Sequence, residues 1–181
     1  MKNSRAQVIW ITGLSGAGKT TLAKALLPHL PQPRLLLDGD AMREALASLA
    51  GGYDPESRKQ LALAYARLCK LTAEQGLSVV CATISLFHEV QRWNRENLPG
   101  YVEVYLDVPE AVRRERDYKN IYTTHTRTGQ ERPVAGRDFP PELPEDPDII
   151  INNSALSTKD IVERILMLLS SKNRTHALDT K

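Results

Sequence analysis

Cysteine is scarce: Cys69 and Cys81 are the only two in 181 residues. Both lie inside apolar patterns, so both read as reduced core residues and neither a disulfide framework nor a thiolate metal site is expected. An excess of one charge is missing too. Lys plus Arg number 24 against 22 Asp plus Glu, a net charge of +2. With no global basic field, a nucleic acid polymer is not the expected partner. No apolar run approaches the ~20 residues that span a bilayer, and residues 1–7 are too short and polar for a signal peptide. A cytoplasmic protein without membrane contact is therefore expected. His29, His88, His125 and His176 show no metal-ligand spacing. No internal repeat or low-complexity linker divides the chain.

What is present is an ordinary globular composition, 41% apolar and 25% charged, which argues against disorder. At roughly 150 residues per domain, one domain is expected, over residues 1–170, with a polar, frayed tail at 171–181. Near-continuous apolar runs at Val8–Thr12, Leu35–Asp38, Ser78–Thr83, Val102–Asp107 and Asp148–Ile151 fit strands buried on both faces. Helical patterns alternate with them. The clearest is Arg58–Gln75, where Leu61, Tyr65, Leu68 and Leu71 recur at helical spacing and Gly76 stops the run. Others are Phe87–Asn97 and a closing helix Leu156–Leu169 started by Ser157 or Ser154. The alternation predicts an α/β fold, a doubly wound parallel sheet of about five strands. Residues 117–147, rich in proline and arginine, break the pattern and read as a long functional loop, a lid. Trp10 is expected in the core; Trp93 is open between core and an oligomer contact. Arg113, Arg114 and Arg116 alternate with Glu110 and Glu115, partly a solvated helix face.

The strongest chemical signal is Gly13-Leu14-Ser15-Gly16-Ala17-Gly18-Lys19-Thr20. It satisfies the G-x-x-x-x-G-K-[ST] pattern between an expected strand and an expected helix. Its glycines let backbone N–H groups turn inward around phosphate oxygens, and the helix that follows adds its positive end. Lys19 would reach the outer phosphates of ATP and Thr20 would meet Mg²⁺. Gly13, Ser15, Gly16, Ala17, Gly18, Lys19, Thr20 and Thr21 are thus the expected nucleotide-binding set.

A second signal closes the second strand, Leu37-Asp38-Gly39-Asp40. Ligands collect at the carboxyl ends of parallel strands. Of the two carboxylates there, one can position Mg²⁺ and the other accept a proton from an attacking hydroxyl. Asp40, with Thr20, is the expected metal pair. Asp40 could also cap the helix from Ala41, which is compatible with catalysis. Which of Asp38 and Asp40 takes the proton stays open. Lys19, Asp38 and Asp40 form the expected catalytic set.

The run Gly-Leu-Ser-Gly-Ala-Gly-Lys-Thr-Thr, then Leu-Asp-Gly-Asp with Arg43, resembles the adenylylsulfate (APS) kinase family. The likeness continues through Gly52-Tyr53 with Arg58, Lys70-Leu71 with Gly76-Leu77, and Ile84-Ser85. It extends over Glu103–Pro109, Arg116-Asp117 with Lys119 and Tyr122, then Arg132 and Gly136-x-Asp138, covering roughly residues 8–155. The resemblance implies a P-loop kinase with a mobile lid, active in sulfate assimilation, that transfers the γ-phosphoryl of ATP to the ribose 3′-hydroxyl of a small nucleotide. By the same resemblance, Arg43 and Arg58 hold substrate phosphate or its neighbour group. Tyr53 stacks on the base, Ile84 and Ser85 line the substrate, Arg132 meets its anionic end and Arg116 the ATP phosphates. Related kinases are often dimers, though nothing in the spacing here demonstrates one.

The substrate side departs from the family. Ala41 replaces an Asn, Leu61 an Asn, Leu63 a basic residue, Leu86-Phe87-His88 a Pro-Tyr-Arg, and Val134 the lid aromatic, removing one of two base-stacking faces. Leu where a substrate hydrogen bond is expected leaves polar substrate groups unpaired. Leu-Ala-x-x-Tyr-Ala-Arg-Leu and Thr-Ile-Ser-Leu-Phe also look like APS-kinase-like proteins acting on cytidine diphosphoramidate. APS is the first expectation for the acceptor and that variant the second. A P-loop kinase of another small-molecule hydroxyl would not need Tyr53, Arg58 and the lid pattern. A non-catalytic regulator would not need Lys19 and Asp40. A switch GTPase is weaker still, because the base-reading Asn-Lys-x-Asp element is missing.

Overall fold

Strand β1 (Val8–Thr12) is buried along its whole length, which is why its sequence is apolar without alternation. In the computed structural model, which describes residues 7–116 and 133–178, it is the centre of a five-stranded sheet. The other strands are β2 (Arg34–Asp38), β3 (Ser78–Ala82), β4 (Val102–Leu106) and β5 (Ile149–Ile151). Their order is β2-β3-β1-β4-β5, and every pairing is parallel. The register aligns Asp38 with Ala82, and Thr12 with Tyr105. The carboxyl ends therefore open on one edge of the sheet.

Helices cover both faces, as the alternation predicts. Ile9, Ile11, Val80 and Val104 point to one side. There they meet Leu22 and Leu26 of α1 (Lys19–Leu26), and Ile161 and Ile165 of α6 (Thr158–Leu178). Val8, Trp10, Val79 and Cys81 point to the other. They meet Met42 of α2 (Gly39–Leu46), Ala66 and Cys69 of α3 (Pro55–Glu74), and Val90 of α4 (His88–Asn97). Trp10 is fully buried and both cysteines are free and buried. Trp93 packs half-buried against this second cluster, with Arg67 5.7 Å from its ring centre. A short α5 (Glu110–Glu115) follows β4.

Element ends differ from the sequence reading for local reasons. Helix α3 starts before Arg58, because Asp54 Oδ1 accepts from Ser57 N at 2.9 Å and Pro55 opens the first turn, where its missing N–H costs nothing. Its buried face runs through Leu61, Ala62, Tyr65, Ala66, Cys69 and Ala73, while Leu71 is 56% exposed. Helix α6 starts after Ser157, whose Oγ accepts from Asp160 N at 3.2 Å. It runs to Leu178 rather than stopping at Leu169, so the helix continues into the stretch expected to be a frayed tail. The first part of the expected lid, with Arg132, lies outside the described residues. Its later part docks on α4: Glu142 N donates to Leu86 O at 3.1 Å, and Glu142 in turn accepts from His88 N.

Candidate active site

The loop between β1 and α1 turns tightly beside α5. Gly16 has φ +78°, and a Cβ there would lie 2.7 Å from Arg113 O, so only glycine fits. Gly18 is the N-cap of α1 and carries no side chain to cap it. The first-turn N–H groups thus face the mouth of the loop, the arrangement that binds phosphate. Lys19 Nζ arches back to donate to Leu14 O at 2.9 Å. Ser15, Gly16, Gly18, Lys19, Thr20 and Thr21 line one end of a cavity of about 580 Å³. Gly13 and Ala17 are buried beneath it.

Across from this loop, Asp38 does two jobs. Its Oδ1 accepts from Asp40 N at 3.0 Å and Ala41 N at 3.4 Å, capping α2. Its Oδ2 accepts from Thr20 Oγ1 at 2.6 Å. The cap considered for Asp40 therefore belongs to Asp38, because the helix begins two residues earlier, at Gly39. The oxygen that meets Thr20 is likewise Asp38's, not Asp40's. Asp40 sits exposed in the first turn of α2 and lines the same cavity. Tyr65 of α3 supports this turn from below, donating to Gly39 O at 3.2 Å. Burial pushes its phenol up to about 12, so it remains a donor at neutral pH.

The far end of the cavity is aromatic and cationic. Arg43 Cζ lies 4.4 Å and Arg58 Cζ 5.3 Å from the Tyr53 ring centre. Arg43 also donates to Gly51 O and Gly52 O at 3.2 Å each. Arg58 Nε donates to Tyr53 O at 2.7 Å and Nη2 to Pro133 O at 2.6 Å. Burial, then the charge of Arg43, lowers the Arg58 guanidinium from its ordinary value, but it stays cationic at any physiological pH. Ile84 and Ser85 line the same space. Thr12 donates its hydroxyl to Ile84 O, and Ser85 is held at φ +28° with its Oγ 3.1 Å from Thr83 Oγ1. Such a backbone is strained for a non-glycine residue and persists only where its surroundings fix it.

Of the substrate-side departures, Leu61, Leu86, Phe87 and Val134 line this cavity. Ala41, Leu63 and His88 do not. Leu63 is buried in the core under α3, and the His88 ring contacts Leu143 O at 3.0 Å on the outer face. Phe139, which sequence reasoning passed over, also lines the cavity, with Arg58 Cζ 5.9 Å from its ring centre. Asn153 was missed as well. Its Nδ2 donates to Ala17 O at 2.7 Å, and its Oδ1 accepts from Arg116 Nη1 at 2.8 Å. It ties the phosphate loop to Arg116, itself a lining residue. Nothing short of the three-dimensional fold brings residue 153 to residue 17.

A cavity with a phosphate loop at one end and an aromatic, guanidinium-lined slot at the other suits a nucleotide facing a second nucleotide. A family model described as adenylylsulphate kinase matches residues 5–152. The chain belongs to the adenylylsulfate kinase family. It is a phosphotransferase with a hydroxyl group as acceptor. It is 37% identical over 174 residues to the cytidine diphosphoramidate kinase of Campylobacter jejuni, covering 94% of this chain and 99% of that protein. It is also 37% identical over 179 residues to the adenylyl-sulfate kinase of Paraburkholderia xenovorans, covering 96% of this chain and 98% of that one. Among solved structures it is similar to the Mycobacterium tuberculosis APS kinase CysC in complex with AMPPNP and APS. That likeness has a TM-score of 0.80 at 26% identity over 92% of this chain and 98% of that one. Among the described residues, no helix is long and apolar enough to cross a membrane.

Proposed function

We propose that this adenylylsulfate kinase family member transfers the γ-phosphoryl group of ATP to the ribose 3′-hydroxyl of adenylylsulfate. The observation that carries the reading is the single cavity in which Lys19 and Thr20 face the Tyr53, Arg43 and Arg58 slot. Lys19 and the loop N–H groups hold the β- and γ-phosphates. Thr20 and Asp38 offer two hard oxygens 2.6 Å apart, which fits Mg²⁺, an ion that takes one or two protein oxygens and completes its shell with phosphate and water. When bound, it neutralises charge on the phosphate oxygens. Asp40, at the cavity mouth beside Arg43, accepts the proton of the attacking 3′-hydroxyl. The new bond joins that oxygen to the γ-phosphorus as the bond to the β–γ bridging oxygen breaks, and ADP leaves. Arg116, held by Asn153, meets the ATP phosphates. Arg43 and Arg58 take the anionic group of the acceptor, with Arg132 assigned the same end by resemblance alone. Buried, free thiols suit a reducing cytoplasm.

A second acceptor, cytidine diphosphoramidate, is favoured by one observation: Leu61 and Val134 make apolar lining where the family carries a polar and an aromatic side chain. A coupled assay of ADP release with each acceptor at equal concentration separates the two. A kcat/KM higher for adenylylsulfate supports the first reading; one higher for the cytidine compound replaces it. ADP release indifferent to both overturns the assignment of a nucleotide acceptor.

A further inference from the structure

The loss of an aromatic at position 134 leaves the acceptor slot with one ring wall by sequence, Tyr53. The structure supplies a second ring from five residues further on. Phe139 is half-buried and lines the cavity with Tyr53 and Val134. The Arg58 guanidinium lies 5.3 Å from the Tyr53 ring centre and 5.9 Å from that of Phe139. One guanidinium within cation–π range of both rings sets both beside Arg58 on the lining of the same cavity. Phe139 is also held in place. Its turn is closed by Gly136 N donating to Phe139 O at 2.9 Å and Val134 N donating to Asp138 Oδ2 at 2.7 Å. The Asp138 carboxylate takes two further bonds from Arg137, at 2.9 and 2.8 Å. The turn is pinned before by Arg58 on Pro133 O and after by Glu142 N on Leu86 O. Its Gly136, at φ +82°, rides against the Leu14 side chain of the phosphate loop.

We propose that Phe139 is an acceptor-binding residue of this chain, the second aromatic surface against which the acceptor's base packs, so that the stacking face absent at Val134 is provided from a different position of the same turn. The inference rests on the acceptor being a nucleotide, as read above. Stacking uses the π-face that every base has, so Phe139 contributes affinity for a base without choosing between adenine and cytosine. The choice then falls to groups that meet the edge of the base. Because the turn touches Leu14, base packing on Phe139 also sets the acceptor against the phosphate loop.

The test measures steady-state kinetics with adenylylsulfate and with cytidine diphosphoramidate, and calorimetric binding of each, for wild type, F139A, F139L and F139Y. F139A and F139L should raise the KM and Kd of the preferred acceptor about tenfold or more, with KM for ATP unchanged. F139Y, which keeps a ring, should remain near wild type. An unchanged acceptor KM in F139L overturns the inference, as does an equal loss in F139Y. Unchanged KM for ATP guards against misfolding, and F139L stands in if F139A does not fold. Wild type that turns over an acceptor indifferently to residue 139 overturns this inference alone. Wild type that binds an acceptor through Phe139 but transfers nothing to it overturns the activity reading alone.

Discussion

Thr20 Oγ1 donates to Asp38 Oδ2 at 2.6 Å, joining the first turn of α1 to the end of β2 through one hydrogen bond. The same carboxylate caps α2 through its other oxygen. One side chain therefore fixes the distance between the phosphate loop and the turn that carries Asp40. It also offers, together with Thr20, the oxygens for a hard cation.

That double use separates stability from chemistry. D38A removes the cap and should cost about 1 kcal/mol of stability. D38N keeps a capping oxygen and should unfold near wild type. Both should lower kcat about a hundredfold or more, since positioning the phosphate charge is most of what such a kinase does. D38N should also need more Mg²⁺ for half-maximal rate, whereas D40N should lose kcat with its Mg²⁺ requirement unchanged. Urea unfolding and Mg²⁺ titrations of the rate check this; an unshifted requirement in D38N would return the metal role to Asp40.

Lys19 tests the donor end independently of the acceptor. Its ammonium reaches back to Leu14 O across the mouth of the loop, where it is placed to follow charge on the transferring phosphoryl. K19A should lower kcat about a hundredfold or more, a loss of ~3 kcal/mol of transition-state stabilisation. Single-turnover rates with saturating ATP measure it. Near-normal turnover in a folded K19A protein would remove the residue from the mechanism.

Buried charge makes a prediction about stability. Glu103 is 1% exposed and pairs with Arg95 at 3.0 Å, under Tyr101 and close to Asp148, which Lys172 engages. Burial raises its carboxyl above the ordinary 4.5, against the pull of Arg95. The folded protein thus holds this proton more tightly than the unfolded chain. That contribution is present in full below about pH 4.5 and is lost as pH rises through the raised native value. E103Q removes it. The stability of E103Q relative to wild type should therefore increase as pH rises from about 4.5, on top of a constant offset from the lost ion pair. Urea midpoints of both proteins across that range decide it, and a difference independent of pH contradicts it.

The parts of the site that lie along one stretch of chain were legible in the sequence. The phosphate loop is contiguous, and the expected strand Val8–Thr12 has the observed bounds. Tyr53, Arg43 and Arg58 also meet in one slot. Legibility failed where two residues of register decide, or where a contact is long-range. Asp38 and Asp40 differ by two positions, and only the helix start at Gly39 says which one caps. The stripe Leu61, Tyr65, Leu68, Leu71 drifts off the buried face of α3 because small residues, Ala66, Cys69 and Ala73, carry its second half. Leu63 matched a substrate position in the aligned pattern yet points into the core. Phe139 and Asn153 reach the site only through the docking of the 133–142 segment and the loop after β5.

Asn153 yields the last prediction. Its amide bridges Ala17 O and Arg116 Nη1, at 2.7 and 2.8 Å, and its Nδ2 is close enough to Gly18 that a Cβ there would sit 3.1 Å away. The side chain thus braces the phosphate loop from behind and aims an exposed arginine over it. Arg116 on its own would sample many rotamers, and ordering it against ATP would cost conformational entropy. With Asn153 in place much of that ordering precedes binding, which is the benefit of preorganisation. N153A removes two hydrogen bonds, each with a net value of about 0.5–1.5 kcal/mol. KM for ATP should rise about tenfold, by the rule that 1.4 kcal/mol is a factor of ten. KM for the acceptor nucleotide should stay near wild type, because Asn153 touches nothing at the Tyr53 end. R116A should raise KM for ATP by a similar factor, and the double variant should add little, since the two residues act as a unit. Initial rates over an ATP concentration series for the three variants give the cycle. Fully additive losses would mean that Asn153 shapes the loop alone and does not act through Arg116.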